Sequence, residues 1–176
     1  MSGAARETRE CSCNQAEPAP QPAAAPRSHS PQDLIPFILD RYHATHRREL
    51  AELQRLARRV ETVHADRPEC PRDLSRLLAT MEAELEVHMQ KEEQVLFPLL
   101  LASGGGCAPF AIRRMRAEHE DHAQLLAELK RLTGGFTPPA DACGSWRRLY
   151  QGCAKLSADL EAHIALENGV LFPQFE

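Results

Sequence analysis

The 176-residue sequence has few aromatic residues and no long apolar stretch. Aromatic side chains make up 5% of the chain, and no run approaches the roughly 20 apolar residues that a membrane-spanning helix needs. The first residues, MSGAARETRECSCNQ, also lack the apolar core of a secretory signal. We therefore expect a cytoplasmic protein that does not bind a membrane.

The chain also lacks an excess of basic charge. Its 21 Lys and Arg residues and 25 Asp and Glu residues give a net charge of −4, and the two signs are interspersed. Without a basic stripe, nucleic acid is not an expected partner. The six cysteines are expected to be reduced thiols, because nothing in the sequence indicates export. An abundance of Leu, Ala, Glu and Arg favours an all-α domain.

The chain divides at about residue 31. Five prolines between residues 18 and 31, with alanines among them, predict a disordered Pro/Ala-rich tail over residues 1–31. This tail contains Cys11-Ser12-Cys13, a Cys-x-Cys that is a weak zinc signal without a second pair. Over residues 32–176 apolar residues recur every three or four positions, which is typical of amphipathic helices.

Four such helices are predicted, with short connections that favour an antiparallel up-down-up-down four-helix bundle. Glycine and proline clusters mark the helix ends. The expected boundaries are 34–65 for the first helix with Asp33 as its cap, an end near Leu101 for the second, a stop at Gly134-Gly135 for the third, and a start between Pro138 and Cys143 for the fourth.

Two stretches of the sequence repeat. HMQKEEQVLFP at His88–Pro98 matches HIALENGVLFP at His163–Pro173, and each has a Glu four residues after a His. This spacing puts both side chains on one helix face, one turn apart. RYHATH at 41–46 likewise matches AEHEDH at 117–122. The paired matches predict an internal duplication of a helical hairpin.

The repeats place six metal-ligating side chains on the predicted core faces. Buried polar groups are costly unless they have partners, so these residues indicate a metal site. The rise of about 1.5 Å per residue puts them at one level and excludes His64, about 31 Å from His43 along a straight helix. A histidine-rich core without metal is the alternative, and it would leave buried polar groups unpaired. The six predicted ligands are His43, His88, Glu92, His119, His163 and Glu167.

The donor set also indicates which metal is held. Four imidazoles and two carboxylates exceed what one tetrahedral zinc uses, and mixed nitrogen and oxygen ligands suit iron, with manganese and zinc behind it. His46 and His122 either support the ligands or supply a further one. Glu84 and Asp159 either orient ligands and move protons, or contact neighbours along their helices.

Together, the stretches RYHATHRREL, HMQKEEQVLFP, MRAEHEDH, ACGSWRRLY and HIALENGVLFP resemble the hemerythrin-like domain of the iron–sulfur cluster repair proteins of the ScdA/YtfE type. The resemblance covers about residues 34–175. It implies a hemerythrin-like bundle that holds two iron ions as an oxo- or hydroxo-bridged non-haem centre. By this resemblance, His43 and His88 serve one iron, His119 and His163 serve the other, Glu92 and Glu167 bridge them, and Glu84 and Glu118 lie near a channel to the site.

The resemblance also implies a function. We expect a cytosolic stress-response protein that supplies or handles iron to repair damaged iron–sulfur clusters, with redox chemistry on nitric oxide as a further expectation. Its partners would be damaged iron–sulfur proteins or other iron acceptors. The alternative is a hemerythrin-type protein that binds or senses oxygen or nitric oxide without turnover. Oxygen carriers of that type have five histidines and an Asp at the last bridging position, so Glu167 favours repair.

Overall fold

The computed structural model describes residue 26 and residues 28–102 and 108–176. All regular secondary structure in this part of the chain is helical, without a strand, which confirms the predicted all-α class. It forms four helices: α1 over 31–63, α2 over 74–101, α3 over Ala108–Leu132 and α4 over 144–174. Three of them are continuous runs of several segments: α1 of Pro31–Ile38, Leu39–His43 and Ala44–Val63; α2 of Leu74–Lys91, Glu92–Leu96 and Phe97–Leu101; α4 of Gly144–Leu166, Glu167–Leu171 and Phe172–Gln174.

The start of α1 differs from the prediction. Ser30, not Asp33, is the N-cap, and its hydroxyl oxygen accepts a hydrogen bond from the Asp33 amide at 3.3 Å. Pro31 occupies the first helical turn, where a missing N–H costs nothing, so the helix begins three residues earlier than predicted. At its other end α1 stops at Val63, and His64 is the C-cap.

The remaining helix ends follow local backbone chemistry. α2 ends at Leu101, as predicted, although Pro98 lies within its last turn. α3 ends just before Gly134 and Gly135, whose φ angles of 55° and 69° lie in the left-handed region that glycine adopts without strain. α4 begins at Gly144, one residue beyond the predicted interval.

The buried apolar residues form two separate clusters. α1 packs against α2 and α4, α2 against α3, and α3 against α4, so each helix contributes to both clusters. The larger cluster includes Leu78 and Trp146, and the smaller includes Leu34 and Phe172. The helix segments that carry the predicted metal ligands lie between the residues of these two clusters along the chain.

Some predictions fall on other parts of the chain. Most of the predicted tail, with Cys11 and Cys13, and the connection 103–107 with Cys107 lie outside the described residues. Among the helices that are described, none combines the length and the apolar character needed to cross a bilayer.

Candidate metal centre

The structure brings all six predicted ligands together. All of them are buried, and the two glutamates have no exposed surface at all. They come from four helices: His43 from α1, His88 and Glu92 from α2, His119 from α3, and His163 and Glu167 from α4. Burying two carboxylates completely requires nearby positive charge or hydrogen-bond donors.

The six residues form two groups that share both glutamates. One group consists of His43, His163, Glu92 and Glu167, and the other of His88, His119 and the same two glutamates. Within each group, one ligand atom from every residue lies within 4.8 Å of the others. We call these the first and second group. Their composition allows each group to hold one cation.

Each carboxylate presents one oxygen to each group. Glu92 Oε2 lies 3.3 Å from His43 Nε2, and its Oε1 lies 3.3 Å from His88 Nε2. Glu167 Oε1 lies 3.2 Å from His163 Nε2, and its Oε2 lies 3.2 Å from His119 Nε2. The two glutamates therefore link the two groups.

The grouping corrects one expectation. The resemblance implied that His43 and His88 serve one ion, but the structure groups His43 with His163 and His88 with His119. His43 faces the histidine of the neighbouring helix α4, and the ring centroids of His43 and His163 lie 5.1 Å apart. The His88 and His119 Nε2 atoms lie 3.2 Å apart.

Most of the inward-facing atoms have no hydrogen-bond partner. All four carboxylate oxygens of Glu92 and Glu167 are buried and unpaired, as are the Nε2 atoms of His43 and His163. They lie close together, yet none is oriented to hydrogen-bond another. Unpaired buried polar atoms are rare in folded proteins. A cation bound among them would satisfy every one, so the donor set fits a metal.

Three π-helical turns position the ligands. Leu39–His43, Glu92–Leu96 and Glu167–Leu171 interrupt α1, α2 and α4, and in each the closing backbone bond spans five residues, as from the Phe97 amide to the Glu92 carbonyl. Such turns insert one extra residue and are frequent at functional sites. Each of the three contains a ligand. The sequence prediction missed them, and the only local signal is a proline two residues after each of the last two turns.

The outer nitrogens of three ligands have partners. His43 Nδ1 donates to Glu93 Oε1 at 2.8 Å, and His88 Nδ1 donates to Glu118 Oε2 at 3.1 Å. His119 Nδ1 donates to Asn168 Oδ1 at 3.0 Å. With Nδ1 as the donor, the Nε2 lone pair faces the glutamates. Glu93 and Asn168 were not predicted, although each directly follows a predicted bridging glutamate.

His163 is the exception among the four histidines. Its Nδ1 is buried without a partner. The Tyr42 ring stacks on it instead, with ring centroids 4.9 Å apart and planes 8° from parallel. In the duplicated sequence Tyr42 occupies the position of Glu118, which directly precedes His119 as Tyr42 precedes His43. The two groups are therefore not equivalent in their surroundings.

Neighbouring charges and burial shift the pKa values of several residues at this site. Burial opposes the charge on His88, but the adjacent Glu92 carboxylate and the hydrogen bond to Glu118 outweigh it and raise the pKa of His88 to about 9. Burial likewise opposes ionisation of Glu118, yet hydrogen bonds from Lys91 and His88 lower its pKa to about 2. The pKa of Glu167 is held well below its usual range by His163 and His119, again against burial.

His46 and His122 lie beside the two groups but belong to neither. Both are buried; the His46 ring lies 5.5 Å from that of His163, and the His122 ring 4.7 Å from that of His88. Burial, with the nearby histidines, lowers the pKa of His46 well below its usual value and that of His122 to about 3. These two rings are therefore neutral at physiological pH.

Other candidate residues lie away from the ligands. Glu84 is exposed, so the structure does not support a role in orienting ligands. Asp159 is buried and accepts hydrogen bonds from Arg41 at 2.6 and 3.1 Å and from Lys155 at 2.7 Å, which is the neighbour contact that was the alternative for it. His64 lies at the far end of α1, as predicted.

Known proteins are similar to this chain over most of its length. Residues 35–175 match the model of the hemerythrin HHE cation binding domain. The iron-sulfur cluster repair protein YtfE of Musicola paradisiaca is 46% identical over 142 residues, which are 81% of this chain and 64% of that protein. YtfE of Yersinia pseudotuberculosis is 47% identical over the same shares, and YtfE of Escherichia coli O157:H7 is 44% identical over 148 residues, 84% of this chain and 67% of that protein.

The chain spans 64% of the length of the first two of these relatives. The family match, by contrast, covers most of the chain and includes all six residues of the two groups. The chain therefore belongs to the hemerythrin family of HHE cation-binding domains.

Proposed function

We propose that this protein holds two metal ions, one in each group, with Glu92 and Glu167 bridging them. The observation that carries the proposal is that each glutamate presents one oxygen to the first group and the other to the second. Two histidines and two carboxylate oxygens then give each ion four protein donors. A further coordination position would remain for a small ligand.

We propose iron as the metal. Imidazole and carboxylate together suit iron, with manganese and zinc as competitors. A bound di-iron pair would supply redox chemistry and a position for a diatomic molecule such as nitric oxide or oxygen. The protein's own residues hold the histidines in one tautomer through Glu93, Glu118 and Asn168, and the flanking apolar clusters keep water from the site.

For the biological role we propose repair of stress-damaged iron–sulfur clusters by supplying or handling iron. The support is the similarity to proteins named for that repair, together with the resemblance of the sequence motifs. Damaged iron–sulfur proteins or other iron acceptors would be the partners. A cytoplasmic location is part of the same proposal.

Iron transfer tests this proposal directly. Reconstituted protein carrying isotopically labelled iron is mixed anaerobically with a protein whose iron–sulfur cluster has been damaged, and label is counted in the repaired cluster. We expect transfer from the full chain and none from the Glu92→Gln variant, with circular dichroism showing that both remain folded. Absence of transfer from protein that contains two irons would refute repair but not the metal centre.

The second candidate function is reversible binding of oxygen or nitric oxide. It is favoured by His46 and His122, two neutral buried imidazoles beside the two groups, because the oxygen carriers have an additional histidine ligand. Exposure of the reduced protein to air distinguishes the two candidates. A stable oxygen adduct that releases oxygen under vacuum supports the carrier, whereas rapid irreversible oxidation supports the repair protein.

We also propose the up-down-up-down arrangement, with the two hairpins related by duplication. Contacts between opposite helix ends support it: Gln174 at the end of α4 donates to the His29 carbonyl just before α1, and His64 at the end of α1 contacts Cys143 at the start of α4. In the variant His64→Cys, a short bis-maleimide reagent should therefore link the introduced thiol to Cys143, because the contact that His64 makes spans the length of an imidazole side chain. Failure to crosslink would contradict the antiparallel pairing of α1 and α4.

A further inference from the structure

A thiol and an imidazole meet at the end of the bundle remote from the metal centre. His64 Nε2 lies 3.2 Å from Cys143 Sγ, although the two residues are 79 positions apart in the chain. His64 is the C-cap of α1 and Cys143 the N-cap of α4. Because His64 follows His43 by about 31 Å of helix, this pair is separate from the two groups.

Neighbouring side chains hold the ring of His64 in place. Its ring packs against the fully buried Trp146 ring, with centroids 4.9 Å apart. The Arg67 guanidinium lies 5.4 Å from the centre of the Trp146 ring and donates to Asp141 at 2.8 Å. The imidazole therefore has a supported position beside the sulfur.

Cys143 differs from the other two cysteines in the described part of the chain. Cys70 and Cys153 are buried, and burial raises the pKa of both thiols, that of Cys153 to about 12. Cys143 is exposed, and its side chain does not cap the helix. Of the three, only Cys143 combines access from solvent with a contact to a base.

The pair lies outside the candidate metal ligands, and its surroundings suit a sulfur that acts as a nucleophile. Neither group of candidate metal ligands in the described residues includes Cys143 or His64. The sulfur lies at the N-terminus of a 23-residue helical segment, where the backbone dipole stabilises negative charge. The titratable and charged groups around it are His64 from α1, Asp141 from its own loop paired with Arg67, and Arg147 from α4. The Arg147 guanidinium donates to the loop carbonyls of Ala140 and Ala142.

We propose that Cys143 is a redox-modification site, which His64 activates for exchange with low-molecular-weight disulfides such as glutathione disulfide. His64 Nε2 accepts the thiol proton, and the Cys143 sulfur attacks one sulfur of the disulfide. The disulfide's S–S bond breaks, a new S–S bond joins Cys143 to one half, and the other half leaves as a thiolate that takes up the proton. The protein thiol is oxidised and half of the disulfide is reduced, so the exchange needs no other reactant.

Peptide mapping after exposure to glutathione disulfide tests this site. Tryptic cleavage places Cys143 alone in peptide 132–147 and Cys153 alone in peptide 149–155. In the full chain at pH 7 we expect the Cys143 peptide to be glutathionylated at least about tenfold faster than the Cys153 peptide, which also reports any loss of fold. Cys143→Ser should abolish the signal from the first peptide without affecting the second.

The role of His64 needs its own comparison. His64→Gln should slow modification of Cys143 about tenfold at pH 7, and at pH 10, where thiols ionise without help, it should react nearly as fast as wild type. Asp141→Asn, which removes the neighbouring carboxylate and keeps the imidazole, should change the rate by less than about twofold.

Equal rates for wild type and His64→Gln at pH 7 would overturn the activation by His64. A Cys143 peptide that reacts no faster than the Cys153 peptide would overturn the site. Metal content should stay unchanged in all these variants, so the result is independent of the metal centre.

Discussion

The outer hydrogen bond of His43 offers a sharp test of the metal centre. Glu93 Oε1 accepts from His43 Nδ1 at 2.8 Å and also forms an ion pair with Arg47 Nη1 at 2.8 Å. A carboxylate in this position orients the imidazole and increases its basicity toward a cation. Replacing Glu93 should therefore weaken metal binding in the first group, although Glu93 itself touches no ion.

The expected size follows from the kind of bond that is lost. A hydrogen bond to a charged group contributes about 1.5–3 kcal/mol, and loss of such an outer partner typically lowers metal affinity by about 10–100-fold. Glu93→Ala removes both the acceptor and the charge, so we expect a loss of about 30-fold. Glu93→Gln keeps an acceptor oxygen, and its loss should be nearer fivefold.

Glu86 supplies the matched control. Its Oε2 pairs with Arg47 Nε at 2.7 Å, so Glu86→Gln perturbs the same arginine without touching His43. Affinity is measured by titrating the metal-free protein with iron(II) under nitrogen against a competing chelator. Only the binding step of the first group should weaken in the Glu93 variants, while Glu86→Gln should stay within about twofold of wild type.

Two results would refute this reasoning. Unchanged affinity in Glu93→Ala would show that the hydrogen bond does not support a metal ligand. An equal loss in Glu86→Gln would show that the effect passes through Arg47 and not through the histidine.

Three further predictions concern stability. Leu78→Ala, in the larger apolar cluster, should lower the free energy of unfolding by about 2–5 kcal/mol in denaturant titrations and leave two ions per chain. Burial opposes ionisation of Asp159, but hydrogen bonds from Arg41 and Lys155 outweigh it and lower the pKa of Asp159 below 3.8. The ionised side chain therefore stabilises the folded protein above about pH 4, and this contribution is lost as the pH falls through the pKa of the folded state. Asp159→Asn should remove about 1–3 kcal/mol at pH 7 and flatten the acid limb of a stability–pH curve; an unchanged curve contradicts this. Asp73 adopts a φ of 70°, so Asp73→Gly should raise the melting temperature slightly, and Asp73→Ala should lower it.

The helix pattern predicted most of the fold. The pattern predicts helix ends less well, because a single hydrogen bond can decide at which residue a helix begins. Ser30 and Asp33 are both good N-caps, and the position of Pro31 favours Ser30. The π turns were not predictable in the same way, because an inserted residue changes the backbone hydrogen bonds without changing the apolar pattern. The tail over residues 1–31 stays a prediction.

The six candidate ligands could be identified without coordinates because two constraints act on each of them. A helix repeats its faces every 3.6 residues, so the apolar stripe fixes which side chains point inward. The duplication then marks His43 and His119 as counterparts, and likewise the two His/Glu pairs. Glu93 and Asn168 were missed since they differ in residue type, although each accepts from a histidine of another helix.

The sequence by itself therefore determined the helical class and the identity of the six inward-facing donors, because both depend on local periodicity. Tertiary structure decided how the donors are grouped. α1 packs against both α2 and α4, so periodicity leaves open whether His43 joins His88 or His163. Only the packed bundle, with its π turns, places His43 and His163 around one pair of carboxylate oxygens and His88 and His119 around the other.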